Sequence, residues 1–367
     1  MSTTTHIKHP ELFKSIRIGH VELSNRIVLA PMTRTSASED GLATDRMVKY
    51  YARFAKGGFG LLITEGIYPD EIYSQGYFGQ PGLANDDQVL AWSKVTAAVH
   101  ENGARIFAQL MHAGAISQGN MYKDVAIGPS AVQPKGTKLE MYGGSGAFSV
   151  PKETTKKDIQ QVIQGFVDAA LRARQAGFDG VEIHGANGYI LDQFLTDYMN
   201  QRTDEYGGST ENRMRLLVEV SQAVRQAVGQ DFVVGIRISQ GKVNDFTHKW
   251  ANGEKDAEVI FKSLGEAGLD YIHTTEYYAN KPAFGEGPTL AELAKRYGNI
   301  IVIANGNLDD PTEAENMIVS KRADLIALGK AALANRDWPN RVAQNEALDA
   351  FDGSVLQPTA VVKDVEL

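Results

Sequence analysis

The sequence predicts an α/β fold, specifically a (β/α)8 TIM barrel, and three observations carry that prediction. Short apolar runs of strand length alternate with longer amphipathic stretches along most of the 367 residues. Eight such runs occur, a count that suits a closed parallel barrel better than an open sheet. No run is followed by the Gly-x-Gly-x-x-Gly of a dinucleotide-binding unit: Gly144-Ser-Gly146 and Gly285-Glu-Gly287 both lack the third glycine. A doubly wound sheet with one miscounted strand is the alternative.

The elements follow in order. Ile16-Arg-Ile-Gly-His-Val-Glu-Leu23 alternates apolar and polar residues around Gly19-His20, which predicts a hairpin plugging the N-terminal end of the barrel. Strands are expected at 27–30, 60–64, 106–110, 181–184, 233–238, 271–274, 300–304 and 325–329. Helical spacing marks 87–102, where Val89, Leu90, Trp92, Val95 and Val99 share a face, and 154–176, with Ile159, Val162, Ile163 and Phe166. It continues over 212–228, 256–267, 289–296, 311–320 and 330–344. Residues 113–151, rich in Gly, Ser and Pro, interrupt the alternation after the third strand and are expected to cap the site. Residues 351–367 carry no helical pattern and read as an irregular tail. One domain over 1–367 is expected, its barrel running from about 25 to 345.

Composition narrows the function. Lys plus Arg number 37 against 45 Asp plus Glu, a net charge of −8, which argues against nucleic acid or an anionic membrane as partner. With no cysteine, disulfides, thiolate metal sites, iron–sulfur clusters and thiol nucleophiles are excluded. No run approaches the roughly 18 apolar residues of a membrane span, and residues 1–10 lack an apolar core of signal-peptide length. A cytoplasmic setting is the expectation.

In a barrel, strand C-termini share one rim however distant they are in sequence. Here the rim would gather Ala30-Pro-Met-Thr33, Glu65-Gly66, Gln109-Leu-Met111-His112, His184, Arg237, His273, Glu276, Ala304-Asn-Gly-Asn307 and Gly329-Lys330. A metal hydrolase would need facing His and carboxylate ligands, but no His-x-His occurs. A Schiff-base enzyme would need a desolvated lysine, and Lys330 beside Gly329 suits a phosphate better. Small residues and one cation after the last two strands point to a phosphate cradle. Thr33, Gln109 and Arg237 above it suit a planar heterocycle that becomes anionic on reduction, so a mononucleotide cofactor is favoured.

The most informative stretch is His184-Gly-Ala-Asn-Gly-Tyr189, on a strand-to-helix turn. His184 and Asn187 can donate to one substrate oxygen while Tyr189 carries a transferable proton. A capping Asn and a core Tyr are the bland reading of the same turn.

These residues resemble the old yellow enzymes, FMN-dependent ene reductases built on a (β/α)8 barrel. The resemblance runs from about Leu12 to Val342. It is strongest over His184-Gly-Ala-Asn-Gly-Tyr-Ile-Leu-Asp-Gln-Phe-Leu195 and Asn200-Gln-Arg-Thr-Asp-Glu-Tyr-Gly-Gly-Ser-Thr-Glu-Asn-Arg213, with support from Asn25-Arg26, Ala30-Pro-Met-Thr-Arg34, Thr64-Glu65-Gly66, Gln109-Leu110 and Ala304-Asn-Gly-Asn307. It implies that FMN is bound by Ala30, Pro31, Met32, Thr33, Gly66, Gln109, His184, Arg237, Asn305, Gly306, Asn307, Gly329 and Lys330, with NAD(P)H as reductant. Thr33 would bond flavin O4, Gln109 the pyrimidine edge and Arg237 N1 and O2. His184 and Asn187 would grip the activating oxygen of a small electrophilic substrate, and Tyr189 would protonate it. Tyr77, Phe78, Met111, Tyr277 and Tyr278 are the expected pocket walls. The implied activity is reduction of activated C=C bonds, with a catalytically idle flavin- or ligand-binding sensor as the alternative; a monomer or homodimer is expected. The chain departs from the family pattern at Lys330, commonly Arg, at Met111, commonly aromatic, and at Thr196-Asp-Tyr-Met199, where Pro-His-Ser is frequent.

Overall fold

A computed structural model of the chain describes residues 7–367, and part of the segment read for a leader lies outside those residues. Eight parallel strands close into a barrel in the order first to eighth: Ile27–Leu29, Leu61–Ile63, Arg105–Leu110, Gly180–Asn187, Val233–Lys242, Tyr271–Thr275, Ile301–Asn305 and Leu325–Leu328. Every one of the eight expected strands is present. The fourth and fifth run longest because their C-terminal ends continue into the active-site turn, where the register shifts between Gly185 and Asn187.

The barrel interior divides into two layers. Toward the N-terminal ends, Val28, Leu61, Phe107, Val233, Tyr271 and Leu325 form an apolar cluster that includes Ile18, Val21 and Leu23 of the hairpin. The hairpin strands Ile16–Ile18 and Val21–Leu23 alternate in burial because one face lies on that cluster. Burying three aliphatic side chains there contributes roughly 1.5–3 kcal/mol each. Above it the interior turns polar. Gly235 makes the transition possible: a Cβ at that position would lie 2.1 Å from the Tyr271 ring, which crosses the barrel and places its hydroxyl 3.0 Å from Glu182.

The outer helices bury the stripes that their spacing predicts, among them Asp86–Glu101, Lys156–Gln175 and Thr210–Val228. Two differences have clear causes. A helix over Asp45–Lys56, absent from the sequence expectation, supplies the crossover between the first two strands and buries Met47, Tyr50, Tyr51, Phe54 and Ala55. The stretch expected as one helix over 330–344 is two, Lys330–Ala334 and Trp338–Gln344. Asn335 leaves the helical path to exchange hydrogen bonds with the backbone of Asp349, and Pro339 suits only a first turn.

The 113–151 insertion holds short elements, including the single-turn helix Glu140–Tyr142 and Ile127–Gly128, which pairs with Lys152–Glu153. It reaches over the rim to the fifth strand's loop, where Asn244 Nδ2 donates to Lys135 O at 2.9 Å. The tail is irregular, as expected, with two short 3-10 turns, yet it is packed rather than loose: Ala360 and Glu366 are fully buried. Among the described residues no helix is long and apolar enough to cross a membrane.

Candidate active site

At the C-terminal rim lies a cavity of about 240 Å³ lined by Pro31, Met32, Thr33, Gly66, Gln109, Met111, His184, Asn187, Tyr189 and Arg237, with Tyr142, Val243, Leu333 and Leu356. A second groove of about 470 Å³ contains Asn305, Gly306, Asn307 and the segment Leu348–Phe351. Gly329 and Lys330 line both, so the two spaces adjoin. Together they form an elongated site with a polar floor at one end and small residues with one cation at the other.

The turn from His184 to Tyr189 is held by its own polar neighbours. Asn187 adopts a left-handed conformation, φ 61°, which Asn tolerates better than most residues. Its backbone N–H donates to Ser239 Oγ at 2.8 Å. The next N–H, of Gly188, donates to Asp192 Oδ2 at 2.7 Å, and Lys242 Nζ bonds both oxygens of that carboxylate in a buried pair. Gln193 Nε2 donates to Gly188 O, and its Oε1 accepts from Ala115 N–H, which ties the turn to the start of the insertion. The polar pair in Leu191-Asp-Gln-Phe is thus buried because it satisfies the backbone of this bend.

Electrostatics set the protonation states. Burial, then the charge of Arg237, holds His184 well below the usual imidazole value, so it is a neutral donor. Burial also holds the Tyr189 phenol above its ordinary value and therefore protonated. Its hydroxyl lies 2.5 Å from that of Tyr77, and its ring meets His184 edge-on at 4.8 Å. Arg237 is pushed down to about 10 by burial and stays a cation at neutral pH. Its NH2 group donates to Asn305 Oδ1 at 2.7 Å, but its buried Nε has no partner among the described residues.

Beneath the cavity Glu182 accepts from Gln109 Nε2 at 2.8 Å, His273 Nδ1 at 2.9 Å and Tyr271 OH at 3.0 Å. Burial opposes the Glu182 anion, yet His273 and Arg237 hold its carboxyl below the ordinary value. Because a carboxylate only accepts, one Gln109 Nε2 hydrogen is committed to Glu182, which fixes the amide's orientation and leaves Oε1 and the second N–H to meet a ligand. Gln109 and His273 were expected at the rim, but the carboxylate that joins them and Tyr271 was not; its signal was a Glu inside the apolar run Gly180-Val-Glu-Ile183.

The positions expected to hold cofactor separate into two sets. Pro31, Met32, Thr33, Gly66, Gln109, His184 and Arg237 line the cavity, whereas Ala30 lies in the apolar layer beneath it. A Cβ on Gly66 would meet Met111 Sδ at 2.5 Å, so this wall requires glycine. Gly306, Asn307, Gly329 and Lys330 line the groove, and a Cβ on Gly306 would lie 2.1 Å from Glu276 O. The Asn305 side chain is spent within the protein, holding Arg237, Thr275 Oγ1 and Ala327 O.

The expected pocket walls fare unevenly. Met111 lines the cavity, and Tyr77 stands behind Tyr189 rather than at the surface of the cavity. Phe78 is 65% exposed and packs against Gly119, away from the cavity. Tyr277 and Tyr278 line a side groove that shares Asn187 and Val243 with the cavity, and Tyr277 also lines the second groove beside Asn305 and Gly306. Consecutive aromatics cannot all face one space, and sequence alone does not say which turns inward. Tyr142 and Leu356, from the insertion and the tail, supply walls that the sequence left unassigned.

The residues present fit a flavin mononucleotide. A buried Arg237 Nε with no partner among the described residues, a Gln109 acceptor and Thr33 sit around a cavity that adjoins a glycine-lined groove, with Lys330 lining both.

The family model described as NADH:flavin oxidoreductase / NADH oxidase matches residues 11–349. An NADH oxidase from Thermoanaerobacter brockii is 35% identical over 344 residues, 91% of this chain, and the chain spans about half (51%) of its length. Among solved structures, an old yellow enzyme homologue from Zymomonas mobilis superimposes with a TM-score of 0.88 at 30% identity, covering 97% of this chain and 98% of that one. Morphinone reductase in complex with tetrahydroNAD gives 0.83 at 31% identity, covering 95% and 94%. Since the matched region takes in all eight strands and the whole turn from His184 to Tyr189, the kinship is not confined to the scaffold: the chain belongs to the NADH:flavin oxidoreductase / NADH oxidase family, the FMN-dependent, NAD(P)H-using old yellow enzymes.

Proposed function

We propose that this enzyme reduces activated C=C bonds in α,β-unsaturated carbonyl compounds, maleimides, quinones or nitro compounds. The observation that carries this reading is a neutral His184 donor, Asn187 and a protonated Tyr189 bordering one cavity with the Arg237 cation. FMN, when bound, supplies the hydride, taken earlier from NAD(P)H.

The chain's residues do the rest. His184 and Asn187 donate to the acceptor's oxygen and stabilise the negative charge that grows there as hydride adds to the β-carbon. A neutral imidazole is suited to this because it donates without first giving up a proton. The Tyr189 O–H protonates the α-carbon, and Tyr77, in hydrogen-bond contact with it, is placed to share the proton that restores the phenol. Arg237 favours an anionic partner at the cavity floor by direct charge attraction.

Stopped-flow half-reactions with cyclohexenone test the proposal. Tyr189→Phe should slow reoxidation of the reduced enzyme by enone while leaving reduction by NADPH within about twofold of wild type, the loss being on the order of 10²-fold or more. Equal losses in both half-reactions would reject Tyr189 as the proton donor. Wild-type reduced enzyme that enone reoxidises no faster than the oxygen blank would reject the ene-reductase reading itself.

A further inference from the structure

The C-terminal tail, which the sequence presents as irregular, grips the loop that carries Thr33. Arg34 follows Thr33 directly and is fully buried, as is Glu366, one residue from the C-terminus. Arg34 NH1 and NH2 reach the two Glu366 oxygens at 2.7 and 2.6 Å in a bidentate pair, and Arg34 Nε donates to Ala360 O at 2.8 Å. Ser36 Oγ donates to Arg34 O and accepts from Val362 N–H, which adds a second bridge. From the other side, Glu65 Oε2 accepts from the Arg34 backbone N–H at 3.0 Å.

Between these anchors Thr35 has φ 40°. A β-branched residue in the left-handed region is strained, and such strain persists only where the surroundings over-determine it. Nothing in the loop's own sequence favours that bend: residues 31–37 contain no glycine. The tail supplies the over-determination.

We infer that Glu366 is a positioning residue for the flavin site, holding Arg34 and the strained Thr35 so that Thr33 faces the cavity. The tail is thereby part of cofactor binding. Leu356, on the same tail, lines the cavity directly. A bidentate Arg–carboxylate pair fixes orientation as well as distance, and removing one buried partner strands the other's charge. The inference concerns the flavin, so it stands or falls independently of the substrate proposed above.

The test is Glu366→Gln in the full-length enzyme, reading FMN dissociation by flavin fluorescence, the flavin midpoint potential by spectroelectrochemistry, and apo-protein folding by circular dichroism. FMN should bind about tenfold more weakly, and the midpoint potential should fall as the Thr33 hydrogen bond to the ring loosens. Thr35→Gly, which accepts positive φ without strain, should return both quantities toward wild type in the Glu366→Gln background. A structural clamp with no link to the site would not be rescued this way. Wild-type affinity and potential in Glu366→Gln would overturn the inference, as would a double variant no better than Glu366→Gln. If Glu366→Gln fails to fold, Ser36→Ala decides, since it removes the Ser36 hydroxyl bridge between Val362 N–H and Arg34 O and leaves the Arg34–Glu366 pair in place. Weaker FMN binding at unchanged apo melting would support the inference, and unchanged affinity and potential would overturn it.

Discussion

The catalytic turn and the groove at the far end of the same site are built on opposite plans. From His184 to Tyr189 the backbone and the Tyr189 hydroxyl are matched within the protein: Gly188 to Asp192, itself paired with Lys242, Asn187 N–H to Ser239, and Tyr189 to Tyr77. Around Asn307 and Lys330 the chain is open. Both side chains are exposed, and the Lys330 Nζ lies 5.9 Å from the Phe351 ring. A proton donor must be held to fractions of an ångström before its substrate arrives, so it is fixed by the protein itself. A phosphate brings its own charge and hydrogen-bond acceptors, so its cradle can stay unpaired until the ligand completes it.

Four measurements would break or sharpen that contrast. The largest effect is expected at the rigid end, in Tyr189→Phe, whose enone half-reaction should fall on the order of 10²-fold or more. Next comes the support beneath it. Asp192→Ala leaves Lys242 buried without its partner and Gly188 without its acceptor, and should cost about 3–5 kcal/mol in chemical denaturation of the apo-protein. A loss under 1 kcal/mol would show the turn to be less dependent on its buried pair than its geometry implies. At the open end, Lys330→Ala should weaken FMN binding by about tenfold with apo stability unchanged, and Lys330→Arg should match or tighten wild-type binding through its fork of donors.

The smallest effect is a null one with a definite sign. His184 is held below its ordinary value and so is already neutral above about pH 6.5. Tyr189 is held above its ordinary value and so keeps its proton below about pH 10. Neither group changes charge in between, and the enone half-reaction should vary less than about twofold from pH 6.5 to 9. A sigmoidal limb inside that window, lost in Tyr189→Phe, would mean that the phenol titrates.

How far the sequence reached can be traced residue by residue. The barrel was legible because strand and helix periods differ and eight short runs recur. The helix over Asp45–Lys56 escaped although its stripe is as clear as the others. At the site, Arg237, Gln109 and His184 are placed by strand ends, which a barrel brings together whatever the intervening chain does. Phe78, Tyr277 and Tyr278 sit on loops, where no period dictates side-chain direction, and they face three different ways: Phe78 outward, Tyr278 into the side groove and Tyr277 into both grooves.

The sequence by itself determined the architecture and the family, and it supplied the groups proposed to react. Those depend on local periodicity and on a contiguous motif, both of which are written along the chain. Only the tertiary structure decided what surrounds them: that Glu182 fixes the face Gln109 presents, that Lys242 secures the turn through Asp192, and that Glu366 meets Arg34 across 332 positions. Each is a pairing of a buried charge or amide with a distant partner. Burial makes such pairings energetically obligatory, yet no spacing in the chain records which partner will be near.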